Sequence, residues 1–463
     1  MEFIDRQTDI NRIETALSRE KRQFIVVYGR RRIGKSTLLQ KVLDRRSEYI
    51  YYMCDMTSET NQRFQFATFA AQVVPNFDQA TYPSWEMLFT LLSQQLQSRT
   101  VVCIDEFPYL VKNCPALPSI LQRLIDSKTL KFDLIICGSS QQLMQGFVMD
   151  AQEPLYGRAD EIIKMDPIPA SFIQQALQCD ARQAVEEYAV WGGVPRYWEL
   201  RLDYPDLKTA VSQLLLRPQG TLLAEPERLL RDDMRETVQA NTILATIGNG
   251  ANKISEIAAR AGKNANNITE PLSRLRELGY IRREIPFGDD EKKSKRGIYR
   301  INDPLLDFHF KFIAPFRSYI ELGKGNIVMD IIANRFSEYA GACWENLCRD
   351  FVSGNIIEGI TYKMASRWWG KIFPDKTTEP EGKMVELDVL AESFDGKHLL
   401  IGECKWTTKE DAAKLQHKLE WVAQFLPFKK EKQNVHIFLF LKEEPVNRTT
   451  DNIFLPEDIL KLP

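Results

Sequence analysis

The stretch Phe24–Leu39, FIVVYGRRRIGKSTLL, restricts this chain more than any other. Phe24–Tyr28 is wholly apolar or aromatic and reads as a short buried strand. Gly29-Arg30-Arg31-Arg32-Ile33-Gly34-Lys35-Ser36 then completes the pattern G-x-x-x-x-G-K-[ST], and helical spacing follows from Thr37 to Leu43. Strand, glycine-bounded turn and helix in this order make a phosphate cradle, because backbone amides at a helix N-terminus point at an anion. Gly29, Arg32, Ile33, Gly34, Lys35, Ser36 and Thr37 are the candidate phosphate contacts. Lys35 reaches the β and γ oxygens of ATP, and the Ser36 hydroxyl is a ligand for Mg²⁺.

Three more strands fit the same site. Glu48–Met53 is one. Thr100–Ile104 is fully apolar, as a buried parallel strand should be, and ends in Asp105-Glu106. Phe132–Cys137 ends in Gly138-Ser139-Ser140. The expected roles are Asp105 on Mg²⁺ through water, Glu106 polarising the attacking water, and Ser139 touching the γ-phosphate. The order phosphate loop, acidic pair, polar tip describes a doubly wound parallel α/β sheet with its ligand at the carboxyl ends. All four histidines lie after residue 308, so chemistry in the first three hundred residues falls to carboxylates, Lys, Arg, Ser or metal.

Composition narrows the rest. A chain of 463 residues holds roughly three domain-sized units. Hydrophobic residues at 44% and charged residues at 27% are those of a soluble globular protein. A net charge of −2 makes the whole molecule no magnet for nucleic acid, so such binding must come from local patches. No run of 18 apolar residues and no apolar N-terminal leader occur, so the expectation is cytoplasmic, without a membrane partner. The eight cysteines form no C-x-x-C pair and read as small buried hydrophobes.

Gly29–Ser36, Ile104-Asp-Glu-Phe107, Cys137-Gly-Ser-Ser140 and Pro154-Leu-Tyr-Gly-Arg158 together resemble the archaeal-type ATPases, P-loop proteins of the AAA+/STAND class. The resemblance covers nearly the whole chain. It implies ATP and Mg²⁺ as ligands, and it lets Arg158 reach a γ-phosphate, on its own subunit or on a neighbour's in a homo-oligomer. It also places an ATPase core at residues 1–165 and a helical lid at 166–236, where Trp191-Gly-Gly-Val-Pro195 breaks the helices.

Residues 237–310 read as helix, helix, helix, strand, loop, strand, the order of a winged helix-turn-helix. The third helix is expected at Ile268–Leu278, with Pro271 in its first turn. Between Leu272 and Arg300 there are nine Lys or Arg against five Asp or Glu. Arg274, Arg276, Arg282, Arg283, Lys292, Lys293, Lys295 and Arg296 could meet DNA or RNA phosphates. Contact with nucleic acid and a plain packing role both remain open.

Residues 311–463 read as a helix at Phe336–Phe351 carrying Glu345, then three strands: Gly359–Trp368, Met384–Ala391 with Asp388, and Leu399–Trp406 with Glu403 and Lys405. A helix at Lys409–Phe425 and a strand at Asn434–Leu441 complete the unit. This α-β-β-β-α-β order with Asp and then Glu-x-Lys resembles the PD-(D/E)xK nuclease fold. The resemblance implies that Glu345, Asp388 and Glu403 hold Mg²⁺ while Lys405 steadies the reacting water or phosphate. An active nuclease and a relative that kept only the fold are both open. The chain therefore carries two functional readings: an ATPase coupled to nucleic-acid handling or cleavage, and an ATP-loaded signalling switch with an inactive docking module.

Overall fold

The computed structural model describes residues 3–234, 236–374, 381–430, 433–448 and 452–462. Strands Phe24–Gly29 (β1), Tyr49–Met53 (β2), Val101–Asp105 (β3), Asp133–Gly138 (β4) and Glu161–Met165 (β5) form one parallel sheet in the order β2-β3-β4-β1-β5. β1, β3 and β4 are buried along their whole length, as their unbroken apolar runs require. β5 is half-buried and at the edge. Its five residues, EIIKM, carry too short an alternation to be read from sequence.

The two sheet faces feed separate cores. Val26, Val102, Ile104 and Ile136 pack with Phe66, Trp85 and Phe89 from the helices Glu59–Ala70 and Trp85–Gln95. Ile25, Val27, Cys103 and Ile135 pack with Ile10 and Ile13 of the helix Gln7–Leu17. That second core does not stop at the sheet. It continues through Val190, Trp191 and Trp198 of the lid helices Ala181–Trp191 and Pro195–Leu202, and on to Trp344 and Phe440 of the C-terminal unit. The corner between the lid helices needs its glycines. A Cβ on Gly193 would lie 2.0 Å from the Ile168 carbonyl oxygen, and Gly192 sits at φ +59°. All eight cysteines are free thiols.

Helices Thr237–Gly248, Ile254–Arg260 and Ala265–Glu277 are followed by the antiparallel pair Ile281–Glu284 (β6) and Ile298–Ile301 (β7). Their apolar faces form a core of their own. The third helix starts three residues before the expected Ile268, so Pro271 lies inside it rather than in its first turn.

In the C-terminal unit the helix Gly325–Val352 runs much longer than the expected Phe336–Phe351. The strand expected at Gly359–Trp368 is split. Ile356–Ile357 (β8) and Ile360–Thr361 (β9) make a small hairpin, and Ser366–Ile372 (β10) carries Trp368 and Trp369 in its interior. Lys383–Glu392 (β11) and His398–Lys405 (β12) follow, then the helix Ala412–Ala423 and Asn434–Leu441 (β13). The short Ile453–Phe454 (β14) closes a five-stranded sheet in chain order, antiparallel from β10 to β12 and parallel from β12 to β14.

Between the β6–β7 hairpin and the helix Gly325–Val352 the chain passes through His309–Ile313. His309 is buried, and its Nδ1 has no hydrogen-bond partner among the described residues. Burial first, then Arg317, pushes its pKa down to about 4. A depressed histidine stabilises the fold above its unfolded pKa of about 6.5, and that stability is lost as pH falls. We expect up to about 3 kcal/mol to disappear between pH 6.5 and pH 4, at 1.36 kcal/mol per unit. Urea titrations across this range should show a flatter acid limb for His309→Gln; an identical limb would remove His309 from the acid response.

Candidate functional site

The turn between β1 and the helix Lys35–Leu43 curls around Gly34, held at φ +95°. Lys35 is buried, and its ammonium donates to the carbonyls of Gly29 and Arg30, both at 3.0 Å. Beside it, at the tip of β3, Asp105 is 1% exposed. The Ser36 hydroxyl donates to Asp105 Oδ2 at 2.6 Å, and the Tyr51 hydroxyl donates to the same oxygen at 2.7 Å. Burial and then the Asp105 charge hold the Tyr51 phenol far above its ordinary pKa, so it stays a donor. Tyr51 lies on β2 opposite Cys103, one strand away from the motifs, and no sequence pattern pointed to it.

Glu106 occupies the left-handed region at φ +53°, an arrangement costly for a residue with a side chain and frequent at working sites. Its Oε2 accepts from the Ser139 hydroxyl at 2.9 Å and from the Ser139 amide at 3.3 Å. β3 and β4 are neighbours in the sheet, so the acidic pair and the polar tip meet directly. Gly29, Arg32, Ile33, Gly34, Lys35, Ser36, Thr37, Asp105, Glu106 and Ser139 thus lie on the loop and strand ends at the carboxyl edge of one sheet. The Arg158 guanidinium holds Asp126 through two hydrogen bonds of 3.0 and 2.9 Å and donates to the Tyr156 carbonyl at 3.0 Å.

The three loop arginines have partners that sequence alone did not reveal. Arg30 forms a buried ion pair with Asp303 and donates to the Tyr197 hydroxyl at 3.0 Å. Arg31 meets Asp232 at 3.1 Å, and Arg32 meets Glu225 at 3.1 Å. Glu225, Asp232 and Asp233 all belong to the helix Glu225–Asp233. Asp233 accepts from the Gln141 amide at 2.9 Å and from the Tyr280 hydroxyl at 2.6 Å, which ties the β4 side of the site to the start of the β6–β7 hairpin. Burial raises the Asp233 pKa.

In the C-terminal unit β11 and β12 pair with Val389 opposite Gly402, a register that sets Asp388 opposite Glu403. The Cys404 amide donates to Asp388 Oδ2 at 2.9 Å. Burial, then Glu345 and Glu403, push Asp388 up to about 7. Lys405 Nζ and Lys418 Nζ both donate to Glu403 Oε1, at 2.7 and 2.8 Å. Burial works to lower the Lys405 pKa, and Glu403 outweighs it, holding the ammonium above its usual value. Glu345 faces Arg349 at 3.6 Å. The expected three-carboxylate cage is not assembled: no group of three or more His, Cys, Asp or Glu among the described residues is arranged to hold a metal ion. Each carboxylate has a cation or an amide of the chain beside it instead. Sequence reasoning missed Lys418 and Arg349, which sit on helices flanking the sheet.

A parallel sheet with a glycine-bounded loop on β1 and an acidic pair on β3 defines a P-loop ATPase. Residues 3–199 match a family described as an ATPase domain predominantly from Archaea, and residues 309–415 match a family described as archaeal and bacterial proteins of unknown function. An uncharacterised protein of Methanocaldococcus jannaschii is 30% identical over 416 residues, 88% of either chain. This chain belongs to that family of archaeal-type P-loop ATPases. The Walker-type ATPase of Pyrococcus abyssi shares the fold at a TM-score of 0.51 and 20% identity, over 67% of this chain and 96% of that one. No helix among the described residues is long and apolar enough to cross a membrane.

Two substitutions test this site. Lys35→Ala removes the ammonium, and calorimetry should show ATP binding weakened by a factor of 10 or more, on the order of 1.4 kcal/mol. Glu106→Gln keeps the side-chain shape and its acceptor for Ser139, so nucleotide should still bind while phosphate release falls at least about 10²-fold. Undiminished turnover in Glu106→Gln would remove that carboxylate from the chemistry.

Proposed function

We propose that the nucleotide state of this ATPase controls nucleic-acid handling by the C-terminal unit, with metal-dependent phosphodiester cleavage as its chemistry. The observation that supports this most is Asp388 opposite Glu403 on adjacent strands, with Lys405 two residues further along and Glu345 acting on the same carboxylate. Like-charged groups gathered at a half-buried spot raise one another's pKa, a pattern enriched at working sites. The helix, three strands, helix and strand of this unit follow the order of the PD-(D/E)xK fold. Residues 237–301 likewise follow the order of a winged helix.

At the nucleotide site, Ser36 and Asp105 suit Mg²⁺, because a hydroxyl and a carboxylate at 2.6 Å present adjacent hard oxygens. Bound there, the ion would neutralise charge on the β and γ oxygens. In this reading Lys35 leaves its loop carbonyls for the phosphates, Glu106 orients water, and Ser139 contacts the γ-phosphate. Asp388 and Glu403 would supply the carboxylate oxygens for a second cation, for which the described residues hold no preformed cage of three. Arg158, half-buried and held by Asp126 and the Tyr156 carbonyl, would leave these partners to serve a neighbouring subunit's nucleotide. The protein then works in the cytoplasm.

The second reading is a switch with an inert C-terminal unit. It draws support from the lysines already seated on Glu403. Labelled DNA and RNA, incubated with Mg²⁺ or Mn²⁺ and with or without ATP, separate the two. Cleavage by the wild type, lost in Asp388→Asn with ATPase rate intact, supports the first. No cleavage of any substrate under any of these conditions leaves the second.

A further inference from the structure

Between the β6–β7 hairpin, the helix Gly325–Val352 and β10 lies a cavity of about 180 Å³, continuous through shared walls with a larger one of about 630 Å³. Arg282 and Arg300 enter it from the hairpin, Arg349 from the helix and Arg367 from β10. Four guanidiniums present about twenty N–H donors. Two carboxylates, Asp307 and Glu345, line the same cavity, and Glu284 and Asp350 line the larger one beside it. Glu284 serves Arg282 at 2.8 Å, Arg300 at 3.3 Å and Arg367 at 3.4 Å. Against its burial, Arg282, Arg300 and Arg349 hold the Glu284 pKa down to about 2. Glu345 faces Arg349 at 3.6 Å, longer than a hydrogen bond. Asp307, also in the wall, is pushed up by burial toward its neutral form.

Arg367 carries one idle donor. Its side chain is 10% exposed, its Nε has no hydrogen-bond partner among the described residues, and burial followed by Arg300 lowers its pKa. Glu386 pairs with it from outside the cavity. A buried guanidinium with an idle donor, crowded by other guanidiniums, is expensive unless an anion comes to it. The fork geometry of arginine suits phosphate oxygens in particular.

The position of the cluster says which phosphate. Arg349 Nη1 donates to the backbone carbonyl of Asp388 at 2.8 Å, and Glu345 both lines the cavity and acts on the Asp388 carboxylate. An anion seated among the arginines would be next to the carboxylate pair.

We propose that Arg282, Arg300, Arg349 and Arg367 form a site for the phosphodiester backbone of a nucleic acid at the seam between the hairpin and the C-terminal unit. The site seats the strand whose next phosphate reaches Asp388 and Glu403, and in this it rests on the cleavage reading above. A free phosphate or a mononucleotide carries the same chemistry, so the test must separate the sources.

Fluorescence anisotropy with labelled single-stranded DNA, duplex DNA and RNA, in EDTA so that nothing is cut, measures binding apart from cleavage. The half-exposed Arg300 is the first target, because its loss threatens the fold least. Arg300→Gln and Arg282→Gln should each weaken oligonucleotide binding about tenfold and lower the slope of log Kd against log salt by about one, the loss of one phosphate contact. Arg282→Lys, which keeps the charge, should recover part of the affinity. Basal ATPase activity reports that the variants are folded, and Asp388→Asn should bind like the wild type. Wild-type affinity and salt slope in both Gln variants would overturn the site even where cleavage is real. Arginine-dependent binding without cleavage would leave the site standing and end the cleavage reading. Binding of inorganic phosphate or a mononucleotide, with no oligonucleotide bound, would overturn the polymer as its ligand.

Discussion

The buried ion pair between Arg30 and Asp303 sets the terms for the whole molecule. Arg30 stands inside the phosphate loop, and Asp303 stands 273 positions later at the joint before the C-terminal unit. Both side chains are under a tenth exposed. Two charges taken out of water cost several kcal/mol each, and removing one partner of such a pair typically destabilises by about 3–5 kcal/mol. The pair therefore holds only while the loop, the Tyr197 hydroxyl and the joint stay in register. Arg31 and Arg32 repeat the arrangement on the helix Glu225–Asp233, in more exposed surroundings. Three variable positions of a phosphate loop have become its mechanical link to everything after it. A polyanion arriving in that loop necessarily changes the field felt by all three.

The first half of the fold was legible because parallel strands buried on both faces leave unbroken apolar runs. Phe24–Tyr28, Thr100–Ile104 and Phe132–Cys137 could hardly be anything else. What failed to show was whatever depended on a neighbour. β5 is a strand because β1 offers it a ladder, and its own residues say little. β10 itself carries a bulge between Ser366 and Trp368, which no alternation predicts. Pro271 looked like a helix start, yet the apolar spacing of Ile268, Leu272 and Leu275 carries the helix through it from Ala265. Core packing there outweighed the local preference of one proline.

The nucleotide site was legible for a different reason: its residues sit on fixed strand ends, so motif spacing maps onto space. Ser36, Asp105, Glu106 and Ser139 meet as pairs for that reason. The other sites are built from side chains that converge across long sequence distances. Tyr51, Glu225, Asp233 and Tyr280 belong to no motif, and their roles follow from register and burial alone. In the C-terminal unit period-two spacing put Glu403 and Lys405 on one face of their strand, while the register that sets Asp388 opposite Glu403 comes from the sheet. Lys418 on Glu403 and Arg349 on Glu345 come from helices, where spacing gives a face but no partner. Arg158 likewise takes partners that no motif names, Asp126 and the Tyr156 carbonyl.

The distribution of cores indicates which unit a change at the phosphate loop moves most easily. The lid and the C-terminal sheet share one apolar core with the ATPase sheet, so shearing them apart would expose packed tryptophans. The three helices and the hairpin keep a separate core. Leu229 and Leu230 of the helix Glu225–Asp233, and Leu306 and Phe310 of the joint, pin this core apolarly to its surroundings. The other attachments are polar: Asp233 to Tyr280, Gln141 to the Leu278 carbonyl, and Arg282 to Asn346. The larger cavity runs along the same seam, with Arg30 and Gln141 at one side and Arg349 and Arg367 at the other. A polar seam bordering open volume has alternative hydrogen-bond partners within reach and loses little packing when it shifts, which a close-packed core does not. Arg282 and Arg300 ride on the hairpin, and Arg349 and Arg367 ride on the sheet side. A shift of the hairpin unit therefore widens or narrows the arginine cluster itself, and with it the approach to Asp388.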